Sequence, residues 1–475
     1  MNALRLMILP LAVMLFSVFP LTDTDIWWHL ACAREWVVTW TPVRGNIVNV
    51  HEFFQQVVSF VYTLGGAPLL VAFKALLWGT VFLLFLLPLR RKTFGLVPVA
   101  VLAAALFCFR FHFELRPVVF SMLFLGIYWN LVPRIFDREG FRKIPIVLLL
   151  LCLQWLWCRF QGLYILGPVL VAVFAAGEFV RKNHGGKGLA LLVLLFLAMP
   201  FLHRDGLKLF LYPFGLLDRL MGLTESAVVF AGGIAENRSP LTLLMEGENV
   251  LADILAILFA VVSLALAVRG IAKSPRRTEP TTAWLCITAV LALAAERNIV
   301  LFLPAMCYFV LNLERPLNMP CHARRLGMYL PVVLLFAVLG VWCRSLLPYD
   351  RTMVSSLRVP VAAAQWMKSN PHEGRLFNDD RAGGYLAFEN PGDSTYMDGR
   401  FILKSAEFFG RYLEYPEKPE TYMHDVDSLG VDRAIFPLRY YARWDGVISA
   451  MLRSGKWGAV YVDSGFVVLD RKNLR

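Results

Sequence analysis

The chain reads Thr22-Asp23-Thr24-Asp25-Ile26-Trp27-Trp28-His29-Leu30 directly after its first hydrophobic segment. Two carboxylates therefore lie at a predicted membrane surface, and an aromatic pair and a histidine follow them within the same short stretch. A charged side chain close to hydrocarbon is energetically costly, and charged residues retained there usually serve a function. We therefore treat this stretch as the first candidate for a functional site.

The composition is that of a membrane protein. Of the 475 residues, 58% are hydrophobic and only 17% are charged, and the mean hydropathy is +0.58. A helix that crosses a bilayer needs about 20 mostly apolar residues, and segments near that length recur up to Leu347. The fold class that we predict is mainly α: a polytopic transmembrane helical domain over 1–347, followed by a small α/β domain with a mixed sheet over 348–475.

About eleven membrane spans are predicted by the apolar segments. They run approximately over residues 4–21, 67–88, 94–110, 117–133, 144–158, 162–180, 188–203, 249–268, 281–295, 298–313 and 326–347. Clusters of Lys and Arg occupy every second loop, which is the positive-inside pattern. These clusters are Arg90 to Lys92, Arg134 to Lys143, Arg181 to Lys187, Arg269 to Arg277 and Arg315 to Arg325.

This pattern predicts a multi-pass protein of the cytoplasmic (inner) membrane with its N-terminus in the cytoplasm. Residues 22–66, 204–248 and the domain after 347 would then lie on the extracytoplasmic side. The net charge of +12 follows from the basic loops, so we expect membrane lipids as partners and no nucleic acid.

The sequence lacks the motifs of several common enzyme classes. The eight cysteines are scattered singly and none lies in 348–475, so the C-terminal domain has no disulfide framework of its own. The sequence has no Walker A motif, no G-x-S-x-G and no G-x-G-x-x-G. We therefore expect neither a nucleotide cofactor nor serine hydrolysis.

The predicted outward loop 22–66 carries most of the candidate chemistry. An amphipathic helix lying in the membrane interface is indicated by Ile26, Trp27, Leu30, Trp36, Val37 and Trp40. A second helix is expected to begin at His51 and Glu52. The acids could simply cap the helix that follows the first span. Because the loop combines two aspartates with two histidines and Glu52, we favour a functional site over simple helix capping. Its members are Asp23, Asp25, His29, His51 and Glu52.

Four further polar positions fall in predicted outward turns. Glu114 and Arg116 lie between spans three and four, whereas Arg159 and Arg297 lie in short hairpins. These arginines could snorkel to lipid headgroups, or they could hold a phosphate leaving group. Lys74 falls inside the second span, where we expect it to face the interior of the helix bundle, either paired inside the protein or in direct contact with a ligand.

The C-terminal domain is predicted to alternate helices and strands. Helices are expected near 358–370, 402–414, 419–428 and 443–454, and strands at 374–378, 384–388, 394–398, 431–436, 457–463 and 465–470. The glycines of Gly383-Gly384 and of Asp398-Gly399-Arg400 are interpreted as turn residues. We expect an accessory domain that covers a membrane site, with no active site of its own.

The order of these motifs resembles that of the GT-C glycosyltransferase superfamily, in particular an uncharacterised bacterial branch with an outward α/β tail. The matching motifs are Asp23-x-Asp25-x-Trp27-Trp28-His29-Leu30, His51-Glu52-Phe53, Arg116-Pro117, Tyr212-Pro213-Phe214-Gly215, Glu236 with Ser239-Pro240, Arg297, Gly383-Gly384-Tyr385-Leu386 and Asp398-Gly399-Arg400. They are spread over nearly the whole chain. One departure is Thr24, where some relatives carry a proline between the two aspartates.

The resemblance implies a transferase that uses a polyprenyl-phosphate sugar donor outside the cytoplasmic membrane. It also implies that an acid of the first outward loop acts as base or positions the acceptor, here Asp25 or Asp23, with Asp25 preferred. We expect inverting transfer, with lipid phosphate bound by Arg116, Arg159 and Arg297. The acceptor would be oriented by His29, His51, Glu52 and Glu114. A divalent cation is left open, because superfamily members differ in metal use.

The expected partners are a polyprenyl-phosphate-linked sugar and an envelope glycan or protein that accepts it. A different class of function stays open beside this one. The chain could be a non-enzymatic component of an envelope assembly, or a carrier for a lipid-linked or anionic solute. That protein would still place cations at the interface, but it would not need one indispensable carboxylate after the first span.

Overall fold

The computed structural model describes residues 2–36, 39–45, 47–137, 140–182, 186–247, 250–273, 280–313, 321–439 and 442–472. Some positions used in the sequence analysis lie outside these ranges. They are Val37 of the predicted interfacial helix and parts of four basic loops, at 138–139, 183–185, 274–279 and 314–320.

Helices make up most of the described chain. In chain order they are α1 (Asn2–Phe16), α2 (Asp25–Arg34), α3 (Glu52–Leu86), α4 (Leu96–Cys108), α5 (Val118–Asp137), α6 (Ile144–Trp157), α7 (Leu166–Lys182), α8 (Gly186–Ala198), α9 (Gly206–Met221), α10 (Val228–Gly233), α11 (Pro240–Glu246), α12 (Val250–Lys273), α13 (Pro280–Ala294), α14 (Ile299–Leu313), α15 (Cys321–Leu346), α16 (Val361–Ser369), α17 (Asp380–Glu389), α18 (Ala406–Glu414), α19 (Pro419–Ser428) and α20 (Asp445–Arg453). The strands are β1 (Arg375–Asn378), β2 (Val431–Pro437), β3 (Trp457–Val462) and β4 (Phe466–Arg471).

The chain divides into two compact units. We call them the helical unit, which comprises Met1–Val18 and Ala72–Pro348, and the mixed unit, which comprises Phe19–Val71 and Tyr349–Arg475. The stretch with the two aspartates thus belongs to the same unit as the polar C-terminal segment. The domain boundaries predicted from the sequence, 1–347 and 348–475, group that stretch with the spans, and they stay a prediction.

Several helices have the length and apolar composition of membrane spans. In the described residues there are five such segments, Glu52–Arg91, Val118–Asp137, Gly162–Arg181, Val250–Gly270 and Glu296–Leu313. A sixth would form if the bent pair Gly186–Leu202 and Gly206–Met221 counted as one span. The protein is therefore a membrane protein, but the predicted number of about eleven spans is not confirmed.

The difference between the two counts has a physical reason. Four further apolar helices are shorter than the ~20 residues that cross a bilayer: Arg5–Phe16, Leu96–Cys108, Pro280–Ala294 and Pro331–Leu346. The predicted span 188–203 ends in a bend of 111° between its helix and the following Gly206–Met221. The predicted outward loop 204–248 is itself largely helical, because it contains α9, α10 and α11.

The mixed unit is built on a four-stranded sheet in the order β1-β2-β4-β3. Strands β1 and β2 are parallel, whereas β4 is antiparallel to both β2 and β3. The predicted mixed sheet is therefore confirmed. Its central strand β2 is almost entirely buried, as expected for a strand that is covered on both faces.

Two predicted strands of this unit are wrong. Residues 384–388 lie inside α17, which begins because the Asp379 carboxylate accepts hydrogen bonds from the backbone N–H groups of Arg381 and Ala382. Residues 394–398 form no strand, since the Tyr396 N–H donates to the Asn378 side chain (2.7 Å) instead of to a neighbouring strand.

The predicted interfacial helix also needs correction. Helix α2 ends at Arg34, and every residue from Ile26 to Cys32 is buried. Its Trp27 ring packs edge-on against Tyr385 (4.8 Å between centroids) and at a tilt against Phe388 (5.4 Å). The aromatic residues of α2 therefore form part of the core of the mixed unit and do not present one face to lipid. The second predicted helix is confirmed, because α3 begins at Glu52.

Candidate functional site

The two aspartates lie at the start of α2. Asp25 is the first residue of the helix, and its backbone N–H donates to Asp23 Oδ1 at 3.3 Å. Asp23 is buried and Asp25 is half-buried. A helix N-terminus favours negative charge. Asp23 thus acts as a local cap, one of the roles considered from the sequence, and the Asp25 carboxylate does not take part in that hydrogen bond.

Gly399 lies directly against the Asp25 carboxylate. A methyl group added at residue 399 would overlap Asp25 Oδ1 and would lie 3.6 Å from Trp28 Nε1. The Trp28 indole N–H is buried and donates no hydrogen bond to any described residue. Buried donors in native proteins nearly always have an acceptor. An acid and an indole N–H without a described acceptor thus lie side by side.

Arg400 and Asp398 form a buried ion pair next to this carboxylate. The Arg400 Nε lies 3.0 Å from both Asp398 oxygens, Nη2 lies 2.5 Å from Oδ2, and Nη1 donates to Cys32 Sγ at 3.3 Å. Its guanidinium also lies over the rings of Trp28 and Trp36, 5.5 and 5.3 Å from their centroids. These contacts fix the position of the Arg400 side chain.

The charges of this pair are maintained despite burial. Burial by itself disfavours ionisation of Asp398, but Arg400 holds the pKa of this carboxyl below its ordinary value. Conversely, the negative charges of Asp398 and, more weakly, of Asp25 raise the pKa of Arg400, although burial acts against it. The Asp25 carboxylate is therefore next to a permanent cation.

Both predicted histidines lie in the same part of the mixed unit. The His29 ring is tilted against Trp28 (3.5 Å between centroids) and meets Phe54 edge-on at 4.7 Å. His51 approaches His29 edge-on, with 5.3 Å between the ring centroids. His29 is buried and His51 is half-buried, whereas Glu52 is exposed at the start of α3.

Glycines of α17 let this helix approach α2 closely. A methyl group at Gly384 would lie 2.9 Å from the Thr24 carbonyl oxygen and 3.2 Å from the Trp28 backbone nitrogen. At Gly383, it would overlap the Met397 carbonyl oxygen. The sequence predicts these glycines in turns. Their position shows a packing role, which brings the stretch 22–30 and the motif 398–400 together.

Lys404 is a residue that the sequence analysis missed. It is only 2% exposed, and its Nζ donates to the hydroxyl oxygens of Thr39 (2.5 Å) and Thr41 (2.7 Å). Burial lowers the pKa of Lys404 to about 8, partly offset by the charge of Asp398. No local sequence pattern predicts that a lysine is buried. The one available signal is its position four residues after Arg400, on the same polar segment.

In the helical unit, two predicted phosphate ligands converge on one acid. Arg116 Nη1 lies 2.6 Å from Glu236 Oε2, and Arg297 Nη2 lies 3.9 Å from the same oxygen. Arg297 also donates to Asn237 Oδ1 at 3.0 Å. Although burial acts in the opposite direction, the two arginines lower the pKa of Glu236 to about 2.

The remaining polar groups of the helical unit form separate pairs. Arg159 pairs with Asp205 (3.2 Å), and His112 lies 3.7 Å from Glu296. Burial lowers the pKa of His112 to about 4, so its imidazole is neutral at physiological pH. Lys74 is fully buried and lies 3.9 Å from Glu114, which confirms the predicted pairing inside the bundle.

A metal ion was left open by the sequence. Among the residues that the structure describes, no group of three or more His, Cys, Asp or Glu side chains is placed to hold one. Asp23 and Asp25 are two carboxylates, and Mg²⁺ is commonly held by one or two carboxylates together with water and substrate phosphates. A divalent cation therefore stays as open as the sequence left it.

Comparison with known proteins adds a likeness of fold. No family model matches the chain, and no curated protein matches it either. Among solved structures, the oligosaccharyltransferase of Archaeoglobus fulgidus in its apo form is similar, with a TM-score of 0.56 and 12% sequence identity. The match covers 99% of this chain and 74% of the other. At this identity the likeness concerns the fold, which is GT-C-like and mainly helical.

Proposed function

We propose that this chain is a membrane glycosyltransferase. It would move a sugar from a polyprenyl-phosphate donor to an envelope glycan or protein on the outer side of the cytoplasmic membrane. The observation that carries the proposal is the placement of Asp25, a carboxylate held against Gly399 beside an unused indole N–H and a permanent cation. The full-length likeness to an oligosaccharyltransferase fold supports the same class of protein.

Asp25 is the residue that we assign to the acceptor. Its carboxylate takes the proton of an acceptor hydroxyl or amine while that oxygen or nitrogen bonds to the anomeric carbon of the sugar. The bond between this carbon and the phosphate oxygen breaks, and the configuration at the carbon is inverted. A general base usually contributes about 10²–10⁴-fold to the rate. Asp23, which caps the helix through the Asp25 N–H, is the second candidate.

The Trp28 indole and Arg400 have supporting roles in this proposal. The indole N–H would donate to an oxygen of the bound acceptor or sugar, which satisfies a donor that otherwise has no partner among the described residues. Arg400 favours the ionised form of a neighbouring carboxylate, since opposite charges at short range stabilise each other. His29 and His51, which lie together beside Trp28, would orient the acceptor. Glu52 and Glu114 remain weaker candidates for that role.

The leaving lipid phosphate would need cations, and the candidates predicted for this role lie in the helical unit. Arg116 and Arg297 both approach the Glu236 carboxylate. Two guanidinium groups around one carboxylate leave an excess of positive charge, and guanidinium groups bind phosphate oxygens well. We assign these two arginines to the phosphate. Arg159 is a weaker candidate because it is paired with Asp205. No step of this proposal uses a metal ion.

The test is donor turnover by the purified chain in lipid. Polyprenyl-phosphate sugars are offered as a panel, and released lipid phosphate is measured for the wild type, Asp25→Asn and Asp23→Asn. Both variants keep the shape of the side chain. We expect Asp25→Asn to lower turnover by about 10²-fold or more. Glu373→Gln, an exposed acid of the same unit, is the matched control and should turn over like the wild type.

The alternative function predicts a different result. A carrier or an assembly component binds its ligand without breaking the bond to phosphate. If Asp25→Asn and Asp23→Asn, with melting temperatures equal to that of the wild type, both released lipid phosphate at the wild-type rate, the proposed role of the acids would be wrong. If no donor of the panel were turned over while both variants complemented a deletion strain fully, we would adopt the carrier or assembly role.

A further inference from the structure

Helix α3 is too long for a single membrane span. Its 35 residues reach about 52 Å at 1.5 Å per residue, whereas the hydrocarbon core of a bilayer is about 30 Å thick. A straight helix of this length would have to tilt by about 55° to fit, and membrane helices tilt by roughly 0–40°. Part of α3 therefore lies outside the hydrocarbon core.

The backbone of α3 breaks at a glycine pair. Gly65 and Gly66 have non-helical dihedral angles, and the combination of φ +63° with ψ −156° at Gly66 is essentially restricted to glycine. Pro68 follows in the first turn of the next helical stretch, where proline is well tolerated. The break leaves residues 67–86, about 30 Å long, to cross the bilayer. Residues 52–64 form a separate stretch, which we call the proximal helix.

One face of the proximal helix packs inside the mixed unit. Phe54 and Val58 are fully buried, and the Phe54 ring meets His29 of α2 edge-on at 4.7 Å. The Tyr62 ring lies edge-on to Trp27 of α2, with 6.2 Å between the centroids. At 100° per residue, the three α3 side chains project within about 80° of one another. This face of the proximal helix is therefore turned towards α2.

A second face of the proximal helix is apolar and largely exposed. Phe60 and Leu64 are each 65% exposed, and two further apolar residues of the same face are half-buried. At 100° per residue these side chains project within about 60° of one another. We call this face the apolar sector, and its members are Phe53, Val57, Phe60 and Leu64. Exposed apolar side chains that cluster in this way mark a surface that contacts a partner.

The adjoining sequence favours lipid as that partner. No charged residue occurs between Glu52 and Lys74, and the apolar stretch 67–86 begins directly after the glycine pair. A helix joined to a membrane span by so short a break stays at the surface of the bilayer. The exposed polar side chains of Gln56 and Thr63 flank the apolar sector. The same division is found in helices that lie in the membrane interface with their apolar face inserted by about 5–10 Å.

We propose that the proximal helix lies in the headgroup region of the membrane, with its apolar sector inserted among the lipids. The helix runs along the membrane surface, and α3 turns into the bilayer at the glycine pair. The sequence predicts α2 in this interfacial position, but the tryptophans of α2 are buried. The helix that packs against α2 occupies the position instead.

This arrangement sets the height of the candidate site above the membrane. Packed helices lie about 8–10 Å apart, so α2 is within about 10 Å of the proximal helix that it contacts through Trp27 and His29. His51, which directly precedes α3, meets the His29 ring at 5.3 Å. A lipid-linked substrate would present its phosphate at this level. That consequence rests on the proposed function, whereas the contact with lipid does not.

Fluorescence quenching of the full chain in lipid vesicles measures the contact. A variant that keeps only its buried cysteines Cys32, Cys158 and Cys307 receives one new cysteine, which carries an environment-sensitive dye. Phe60→Cys and Leu64→Cys place the dye in the apolar sector. Thr63→Cys is the matched control, because Thr63 is exposed on the same helix outside that sector. Leu76→Cys, exposed near the middle of 67–86, marks the centre of the bilayer.

We expect the dyes at residues 60 and 64 to be quenched about threefold more by a phospholipid with its nitroxide near the headgroup than by one with its nitroxide near the chain end. The dye at residue 76 should show the reverse order, and the dye at residue 63 should be quenched mainly by aqueous iodide. Iodide quenching at 60 and 64 as strong as at 63 would overturn the proposal. Stronger quenching by the deep nitroxide, or protection from every quencher by a covering protein surface, would overturn it as well.

A second arm tests the consequence for the candidate site. The double variant Phe60→Ser with Leu64→Ser weakens insertion, so KM for a polyprenyl-phosphate sugar in vesicles should rise about tenfold. KM for a short-chain, water-soluble donor should stay within about twofold of the wild-type value. Equal changes for both donors would show that the site does not depend on the membrane position of this helix. Because quenching needs no turnover, an inactive chain would contradict the transferase but leave the lipid contact standing.

Discussion

Gly399 controls the position of the Asp25 carboxylate. Because a methyl group at residue 399 would overlap Asp25 Oδ1, Gly399→Ala must displace the carboxylate or the backbone that carries the residue. Extra methyl groups in packed sites usually cost about 1–3 kcal/mol. We expect Gly399→Ala to lower donor turnover by about tenfold or more, with a modest fall in melting temperature. Turnover and thermal unfolding measured on one preparation check both effects.

The control for this prediction is another glycine of the same unit. Gly45→Ala adds the same methyl group in open space, so it should change neither turnover nor melting temperature. If Gly399→Ala had full turnover, the close packing at residue 399 would have no part in placing Asp25, and the proposed geometry of the base would be wrong.

From the lowered pKa of His112 we expect the free energy of unfolding to depend on pH. Burial lowers its pKa to about 4, while Glu236 acts in the opposite direction and Arg116 acts with burial; Glu296 lies 3.7 Å away. Between an ordinary histidine pKa of about 6.5 and this lowered value, the unfolded chain binds a proton that the folded chain does not. Stability should therefore fall as the pH drops through this window, by up to about 3 kcal/mol.

The measurement is the melting temperature in detergent micelles between pH 7 and pH 4. His112→Gln keeps a neutral polar side chain and removes the titration, so its melting temperature should fall less over this range than that of the wild type. Equal slopes for the two proteins would show that the folded protein does bind a proton at His112, or that this part of the chain does not limit unfolding.

At the scale of elements, α17 and α2 depend on a glycine between them. A methyl group at Gly384 would lie 2.9 Å from the Thr24 carbonyl oxygen, which is a backbone atom and cannot turn aside. Gly384→Ala should therefore push α2 away from α17 and destabilise the mixed unit by about 1–3 kcal/mol. Thermal unfolding measures this loss, with Gly392→Ala as the control. An unchanged melting temperature would mean that the two helices separate at no cost.

Helices and strands of the mixed unit could be predicted where the local sequence pattern and the tertiary contacts favour the same secondary structure. Helix α19 and strand β2 lie where the sequence places them, because their apolar periodicity matches the environment that they occupy. The segment 384–388 is apolar enough for a strand, but the Asp379 carboxylate caps the helix α17 that contains it. Gly384 of this helix lies against Thr24 and Trp28, more than 350 positions away, and no local pattern contains such a contact.

The candidate site could likewise be predicted only in part from the sequence. We chose Asp23, Asp25, His29 and His51 as candidates because charged and aromatic residues next to a predicted span are unusual. That Asp398, Gly399 and Arg400 lie against Asp25 could not be predicted, since the contact joins two segments distant in sequence. The interfacial helix was wrong for the same reason: α2 is covered by the C-terminal segment, so its tryptophans do not need the membrane.

For the whole molecule, the orientation in the membrane is the prediction with most consequence. The basic loops predict that the C-terminal segment lies on the extracytoplasmic side. In a variant without native cysteines, Glu420→Cys should react with a membrane-impermeant maleimide in intact cells. Arg142→Cys, in a predicted cytoplasmic loop, should react only after permeabilisation. Both positions are exposed, so burial does not explain a difference. The reverse pattern would contradict the predicted topology and place Asp25 on the cytoplasmic side.

The number of spans was less predictable than their positions. Hydropathy identifies an apolar helix but not whether it crosses the bilayer. The helices at Leu96–Cys108 and Pro280–Ala294 are apolar yet short. Short helices in a bundle can be buried by their neighbours, as Trp284 and Ala289 of the second helix are. A tally of apolar segments therefore does not by itself give the number of full spans.

The most direct test of the central claim uses isolated membranes, because these contain the native acceptor whatever its identity. Membranes from a strain that overproduces the chain are given a polyprenyl-phosphate donor with a labelled sugar, and label in the lipid-extracted residue is counted. The account predicts incorporation above that of membranes without the chain, reduced by about 10²-fold or more in Asp25→Asn and retained in Glu373→Gln. Incorporation by Asp25→Asn equal to that of the wild type, at equal protein level, would contradict it.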